Sequence, residues 1–462
     1  MGGRFVMTHD RGSIVAVETL GADPVPRSRR VMKAGTVFVV WALASASATT
    51  PIIGLLLKGM SVGRFAILVG VATLCGLWPG MMMSEMGRDH PVISMVTAKR
   101  TFGSVGAAAL TALYALVGAA WFGLNTAVGA EIVGALFPGS ALAALIVLGV
   151  VQTVLVLFGM SLLERFYRYT GPIFVLCYGI LAYYLFSRYP FSWPVQHGPV
   201  AWGRDIDLVL SFSLLAWAYD FPTVTRFCVP REAAEPALTR WRFRLSAPLG
   251  VMSAVLVMGI VGLLSLRLAG LWNVALLAKS LPAWGEVAAV GVILAIVHTN
   301  AMNLYPAVTK VMLLVDTAWV RRSAVQQPLA VVVLGAFSTY LAYAGILDAV
   351  RSFLSILGAF LFPFTFILAL DHVLSSTPRA SGGEDGRQSG AEPRARAWVA
   401  LAVLLLGLGL GEWSPALAGS VVRFVPWQMA MAVAATLLYG AIRRYLMGES
   451  TTRGAPGMVG DE

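Results

Sequence analysis

Apolar runs long enough to cross a bilayer recur along the whole chain. A helix rises 1.5 Å per residue, so about 20 mostly apolar residues span the hydrocarbon core. Twelve such runs stand at roughly 34–57, 65–84, 104–135, 140–160, 166–187, 206–226, 246–269, 286–315, 328–345, 348–373, 397–412 and 425–446. They are too continuous for barrel strands, which alternate, so the spans are helices whose backbone groups are satisfied within each segment. The pattern predicts an all-α integral membrane protein with twelve transmembrane helices. Residues 1–33 read as a loose cytoplasmic tail and 34–373 as a ten-helix body. A flexible linker, rich in Ser, Gly and charge, follows at 374–396. Two peripheral helices (397–446) and a second cytoplasmic tail (447–462) complete the chain.

Polar residues inside these runs mark the chemistry, because a polar group in lipid costs free energy unless it finds a partner or faces a cavity. Span 8 carries His298, Thr299, Asn300, Asn303 and Tyr305, followed by Pro306. At 100° per residue, Thr299, Asn300 and Asn303 fall on one stripe, with His298 about 100° from Thr299. The stripe is either glue between helices or one wall of a midplane site. Span 1 holds Ser45, Ser47, Thr49, Thr50 and Pro51 within seven residues, a cluster that suits close packing or a helix broken in mid-membrane. Span 3 places Trp121 and Asn125 one turn apart on a shared face. A flat aromatic surface beside an amide suits a flat heterocycle, stacked on the ring and read along its polar edge. Span 6 contains Phe212, Trp217, Asp220 and Pro222. Asp220 is either a functional group, or a partner for Arg226 or a cap at the broken helix end. Spans 1 and 6 both look interrupted, and spans 3 and 8 both carry a mid-membrane Asn. A repeat of five spans with the site between the two halves follows.

Composition agrees: 58% of the 462 residues are hydrophobic and 12% charged, which no soluble domain of this length shows. The net charge of +11 would suggest a nucleic-acid partner were it not so unevenly placed. With the N-terminus in the cytoplasm, 26 of the 34 Lys and Arg fall on the cytoplasmic side. That is the positive-inside bias, and it argues for an even number of spans in a cell membrane with both termini cytoplasmic. Cys75, Cys177 and Cys228 form neither a disulfide framework nor a metal-ligand spacing.

Four local patterns resemble the nucleobase:cation symporter-1 family, the group of cytosine, purine-cytosine and hydantoin permeases. They are Trp121-Phe122-Gly123 with Asn125, the stretch Thr299 to Tyr305, Thr225-Arg226-Phe227, and Pro363 with Asp371. The resemblance covers spans 1 to 10 and implies a leucine-transporter-like fold of two inverted five-helix repeats. It implies that Trp121 stacks on the substrate, that Asn125 and Asn303 read its edge, and that Phe212 or Trp217 covers the other face. Ser47 and Asn300 complete the expected binding set. A coupling cation would lie near the carbonyls of Leu43, Ala46 and Ala295, with Thr299 and His298 beside them. Asp220 is a further coupling candidate. The chain departs from the family in carrying Ser211 and Ser213 where Gly is frequent, His298 in place of a hydroxyl, and Ala301 in place of an acidic residue.

The expected function is import of a nucleobase or related planar heterocycle by symport with H⁺ or Na⁺, with no cofactor beyond that ion and no metal centre. Hydroxymethylpyrimidine, allantoin, a hydantoin or an amino acid are alternative substrates on the same fold. No His-Glu-x-x-His or paired nucleophile and base points to an enzyme, no filter-like repeat to a channel, and no nucleotide motif to a pump.

Overall fold

The structure is a computed structural model that describes residues 17–188, 200–232, 234–280, 284–317, 325–346, 350–376, 391–413 and 419–452. Every apolar run becomes helix. Span 1 is split into α1 (Ala34–Ser45) and α2 (Ile52–Leu56). Spans 2 to 5 are α3 (Val62–Asp89), α4 (Ser94–Leu136), α5 (Ala141–Leu157) and α6 (Gly159–Arg188). Span 6 is split into α7 (Trp202–Phe212), α8 (Leu214–Ala218) and α9 (Phe221–Thr225). Spans 7 to 12 are α10 (Ala237–Ala269), α11 (Gly285–Thr317), α12 (Gln326–Tyr343), α13 (Val350–Ser376), α14 (Ala391–Trp413) and α15 (Trp427–Thr452). Among the described residues, eight helical stretches are long and apolar enough to cross a membrane, and α1 and α5 are shorter apolar helices.

The packing repeats with a period of five spans. Span 1 lies on span 7, and span 2 on span 6. Span 3 packs on spans 4 and 9, while span 8 packs on spans 9 and 4. Each of these pairings maps onto another when five is added to one half and taken from the other. An odd number of spans per half reverses the direction of entry, so the halves are inverted repeats. The central pair, α4 with α11, is self-matching and forms the most extensive helix contact among the described residues. Without a hydrophobic drive between helices in lipid, close approach through small residues does this work. A Cβ on Gly250 of α10 would sit 2.6 Å from the Phe38 carbonyl oxygen of α1. One on Gly262 would sit 2.3 Å from that of Pro51.

Three details differ from the sequence expectation. The loop expected before span 3 is helical from Ser94, and Gly103, at φ 70°, bends it into the span. The linker expected at 374–396 has its ends in α13 and α14, while 377–390 lies outside the described residues. Residues from Val17 onward are not loose: Glu18, Ala22, Val25 and Met32 are buried. Glu18 Oε2 accepts the Met160 backbone N–H at 2.8 Å, in a cradle that exists because residue 159 is a glycine at φ +67°. The Gly21 N–H donates to Gln327 Oε1 at 2.8 Å, and Met32 bridges to Cys228. A segment too polar for a core is held by hydrogen bonds at helix ends, which hydropathy does not register.

One end of the bundle is strongly basic. Glu85 of α3 binds Arg240 at 2.9 Å, and Arg231 and Arg244. Arg88 binds Glu235. Asp371 of α13 takes bonds from Thr101, Tyr439 and Arg443. The segment from Val17 to Lys33 lies at this basic end.

Candidate substrate cavity

The helix of span 1 stops where hydroxyl side chains outcompete the backbone ladder. Thr50 Oγ1 donates to the Ser45 carbonyl at 2.6 Å, and the Thr49 N–H donates to Ser47 Oγ at 3.2 Å. Pro51 then permits the turn into α2. The carbonyl freed at Ala48 accepts from Asn273 Nδ2 at 2.8 Å. Span 6 breaks at Ser213, whose φ −131° and ψ −100° are non-helical and whose hydroxyl turns back to the Val209 carbonyl. It breaks again at Tyr219 and Asp220, ahead of Pro222.

Both breaks open onto one cavity, lined on its other sides by α4 and α11, with a volume of about 30 Å³. Of the expected binding residues, Ser47, Trp121, Asn125, Phe212, Trp217 and Asn303 line it together. Trp121 meets Phe212 edge-on, with ring centres 5.9 Å apart and planes at 84°. Trp217, on the far side of the Ser213 break, is propped by the buried Trp41 at 5.4 Å. The choice between Phe212 and Trp217 therefore dissolves, since both reach the cavity.

The amides divide by role. Asn125 Oδ1 accepts Ser47 Oγ at 2.9 Å and Thr49 Oγ1 at 2.7 Å, while its Nδ2 donates to the Trp121 carbonyl at 2.9 Å. It ties the broken span 1 to α4 and keeps one N–H for a ligand. Asn303 Nδ2 donates to Asn300 Oδ1 at 3.0 Å, leaving an acceptor and a donor at the cavity wall. Asn300 does not line the cavity. Its Nδ2 lies 2.6 Å from Gln152 Oε1 and 3.0 Å from both the Phe122 carbonyl and Thr126 Oγ1. It is the glue of the alternative reading, binding α11 to α4 and α5, and it orients Asn303.

Of the expected cation ligands, Thr299 reaches the cavity, its Oγ1 donating to the Ala295 carbonyl at 3.0 Å. Leu43 and Ala46 flank the wall residues Ala44 and Ser45 at the end of α1. His298 does not line the cavity. Its ring stacks on Tyr167 at 5.1 Å, and its Nε2 lies 2.7 Å from Thr170 Oγ1 of α6. The 100° that separates it from Thr299 turns it toward α6 instead. Asp220 lines the cavity and is bound not by Arg226 but by Lys310. Arg226 instead donates to the Gly21 carbonyl at 3.0 Å and to the Tyr305 hydroxyl at 2.9 Å, and that hydroxyl donates to Glu18 Oε1.

Sequence reasoning missed the partnership of Asn273 with Ala48, the wall positions Thr49 and Tyr219, and Lys310. Gly118 was also unremarked. A Cβ there would lie 2.9 Å from the Asn303 carbonyl oxygen, so it sets how closely α4 and α11 approach. The signal available for Lys310 was a lone Lys seven residues past Asn303, on the same helix face.

Two broken spans facing a packed pair of long helices, with a polar and aromatic cavity at the breaks, define a leucine-transporter-like secondary transporter fold. The profile of the family described as permease for cytosine/purines, uracil, thiamine, allantoin matches residues 24–380, and the chain belongs to that family. Among solved structures it is similar to Mhp1, a nucleobase-cation-symport-1 family transporter, in a closed conformation with bromovinylhydantoin bound. The TM-score is 0.76 at 18% identity over 94% of this chain and 97% of that one. The inward-facing conformation of Mhp1 gives 0.71 at 19% identity over 95% and 96%. A Na⁺-coupled sialic acid symporter in a substrate-bound outward-open state gives 0.61 at 11% identity over 91% of each chain. These likenesses bear on the fold. No curated protein sequence matches the chain significantly. The chain is thus a multi-pass membrane protein of a transporter family.

Proposed function

We propose that the chain imports a planar nitrogen heterocycle of the nucleobase type by symport with H⁺ or Na⁺, with the basic end and both termini in the cytoplasm. The observation that carries this reading is the convergence of three aromatic rings, Trp121, Phe212 and Trp217, with the amides of Asn125 and Asn303 on one cavity. Rings offer a stacking surface that any flat heterocycle satisfies. An amide supplies a donor and an acceptor side by side, which matches the alternating N–H and C=O groups on the edge of such a ring. The hydroxyls of Ser47, Thr49 and Thr50 add adaptable partners, and among the described residues no arginine or lysine lines the wall to favour a carboxylate or phosphate. The hydantoin named with Mhp1 belongs to the same chemical class, a flat cyclic amide. Import follows from coupling to an ion that runs down its gradient into the cell, and the clustering of arginine at one end supports the orientation.

The test is uptake into proteoliposomes of radiolabelled cytosine, uracil, hypoxanthine, allantoin, a hydantoin and hydroxymethylpyrimidine, with an imposed Na⁺ or pH gradient. At least one should accumulate above its external concentration only while a gradient stands. Accumulation of an amino acid in the same assay, with none of the heterocycles moved or competing, would overturn the reading.

A further inference from the structure

Asp220 is the one acidic side chain among the described residues lining the cavity, and its Oδ1 lies 2.5 Å from Nζ of Lys310. Both groups are buried, Asp220 at 4% and Lys310 at 2% exposure. The ammonium also lies 4.8 Å from the ring centre of Tyr219. Asp220 sits in the turn between α8 and α9, and Lys310 on α11, so the pair joins the broken span 6 to the opposite long wall. Removing two charges from water is costly, and apolar side chains of similar size hold helices together as well or better. Such a pair therefore calls for a reason other than stability. Its placement supplies one, because one partner stands on the wall of a cavity that must open to water on each side in turn.

We infer that Asp220 is a proton-binding site and that its ion pair with Lys310 is a latch released when the proton binds. This rests on the transporter reading above. As a carboxylate, Asp220 attracts the Lys310 ammonium across a low-dielectric gap and holds α9 against α11, closing the cytoplasmic side. A proton arriving from the outer water through the cavity converts the carboxylate to a carboxylic acid. No other bond changes, and Lys310 stays charged. What remains is one hydrogen bond between a neutral acid and a cation, and separating the helices no longer strands a buried anion. Once water enters from the cytoplasm the proton leaves to it, and the restored carboxylate draws the latch shut.

The other titratable groups around the pair are already engaged. From α4, the Tyr114 hydroxyl donates to the Phe360 carbonyl at 3.2 Å, and its ring lies tilted by 34° against Tyr219 with centres 4.6 Å apart. From α1, the neutral Trp41 faces Phe221 and Trp217 and brings no titratable group. From α3, Glu85, Arg88 and Asp89 are bound to Arg240, Glu235 and Arg231. From α10, Arg240 and Arg244 hold Glu85. From α13, Asp371 is bound to Arg443, and His372 lies beside Asp89. Arg226 and Glu18 are joined through Tyr305. None of these ion pairs includes a residue on the cavity wall, so Asp220 is the acid that cavity water meets.

The experiment needs no substrate. The full chain, with its three cysteines replaced by alanine, carries spin labels at Leu238→Cys on α10 and Val325→Cys at the start of α12, both exposed. Pulsed EPR in nanodiscs at pH 5 and pH 8 reads the distance across the basic end. With the pair intact, the long-distance population should grow several-fold at pH 5. Asp220→Asn should show that population at both pH values. The double variant Asp220→Asn/Lys310→Gln, which strands no charge and so keeps the fold, should likewise lose the pH response. An unchanged distribution in the intact pair, or a pH response that survives in the double variant, would overturn the latch. Either result leaves the heterocycle reading standing, and a failed uptake panel leaves the latch standing.

Discussion

Around the cavity, apart from Asp220 at its floor, the polar groups are neutral: Ser47, Thr49, Asn125, Thr299 and Asn303 among them. Toward the basic end the chain instead closes itself with ions, from Asp220 and Lys310 to Arg226 with Glu18 through Tyr305, and Glu85 with its three arginines. The difference bears on how such a molecule works. Neutral donors and acceptors exchange one partner for another at little net cost, about 0.5–1.5 kcal/mol per hydrogen bond, as a reversible binding wall requires. Buried ions tolerate no such substitution. Breaking one pair by removing a partner costs about 3–5 kcal/mol, so a charged closure is either shut or open. The wall grades ligands and the floor switches states.

The comparison breaks first at its strongest point. Arg226→Met should cost about 3–5 kcal/mol, because Glu18 stays buried without the cation that reaches it through Tyr305. A large fall in thermal midpoint in detergent, with new protease cleavage between residues 17 and 33, is the expected result. A midpoint within error of wild type would mean that the floor is not a closure.

On the wall, Trp121→Ala should lose about 1–3 kcal/mol of heterocycle binding, the usual worth of aromatic stacking on a base, while Trp121→Phe keeps part of it. Unchanged affinity in the folded variant would reduce Trp121 to a packing residue against Phe212.

The amides sharpen the contrast within a single helix turn. Asn300→Leu strips partners from the Phe122 carbonyl, Thr126 and Gln152, and should cost about 1–3 kcal/mol of stability. Asn303→Leu should leave stability nearly intact and change selectivity, weakening ring analogues that present both a donor and an acceptor more than those that lack one. Equal weakening of every analogue would make Asn303 glue as well.

The smallest effect is expected at His298. Its ring is held by Tyr167 and Thr170 on α6, away from the cavity, so His298→Phe should change heterocycle affinity by no more than about 0.5 kcal/mol. A tenfold loss in a competition assay would show that α6 and this ring move into the site during transport.

Much of this was legible in the sequence. The spans were readable from the length of the apolar runs alone. The breaks in spans 1 and 6 were readable because Ser, Thr and Pro clusters have few other uses in mid-membrane. Trp121 and Asn125 were found because a spacing of four residues shares a helix face whatever lies opposite. The rest depended on what lies opposite. A helical wheel separates His298, Thr299 and Asn300 by angle but does not say that α6, the cavity and α5 are their respective neighbours. For Asp220 the sequence offered the near Arg226 as a partner, whereas its partner Lys310 lies 90 residues away. The docking of Glu18 depends on Gly159 adopting φ +67° between two helices, which no hydropathy pattern carries.

The most direct test of the central claim is competitive uptake in proteoliposomes, comparing wild type with Trp121→Ala and Asn303→Leu across a panel of flat heterocycles under an imposed ion gradient. The account predicts gradient-driven accumulation of at least one heterocycle by wild type. It also predicts a general loss of affinity in Trp121→Ala and a loss that depends on the substrate's edge in Asn303→Leu. Gradient-driven uptake of a heterocycle that neither substitution alters would contradict it, because the substrate would then be bound somewhere other than this cavity.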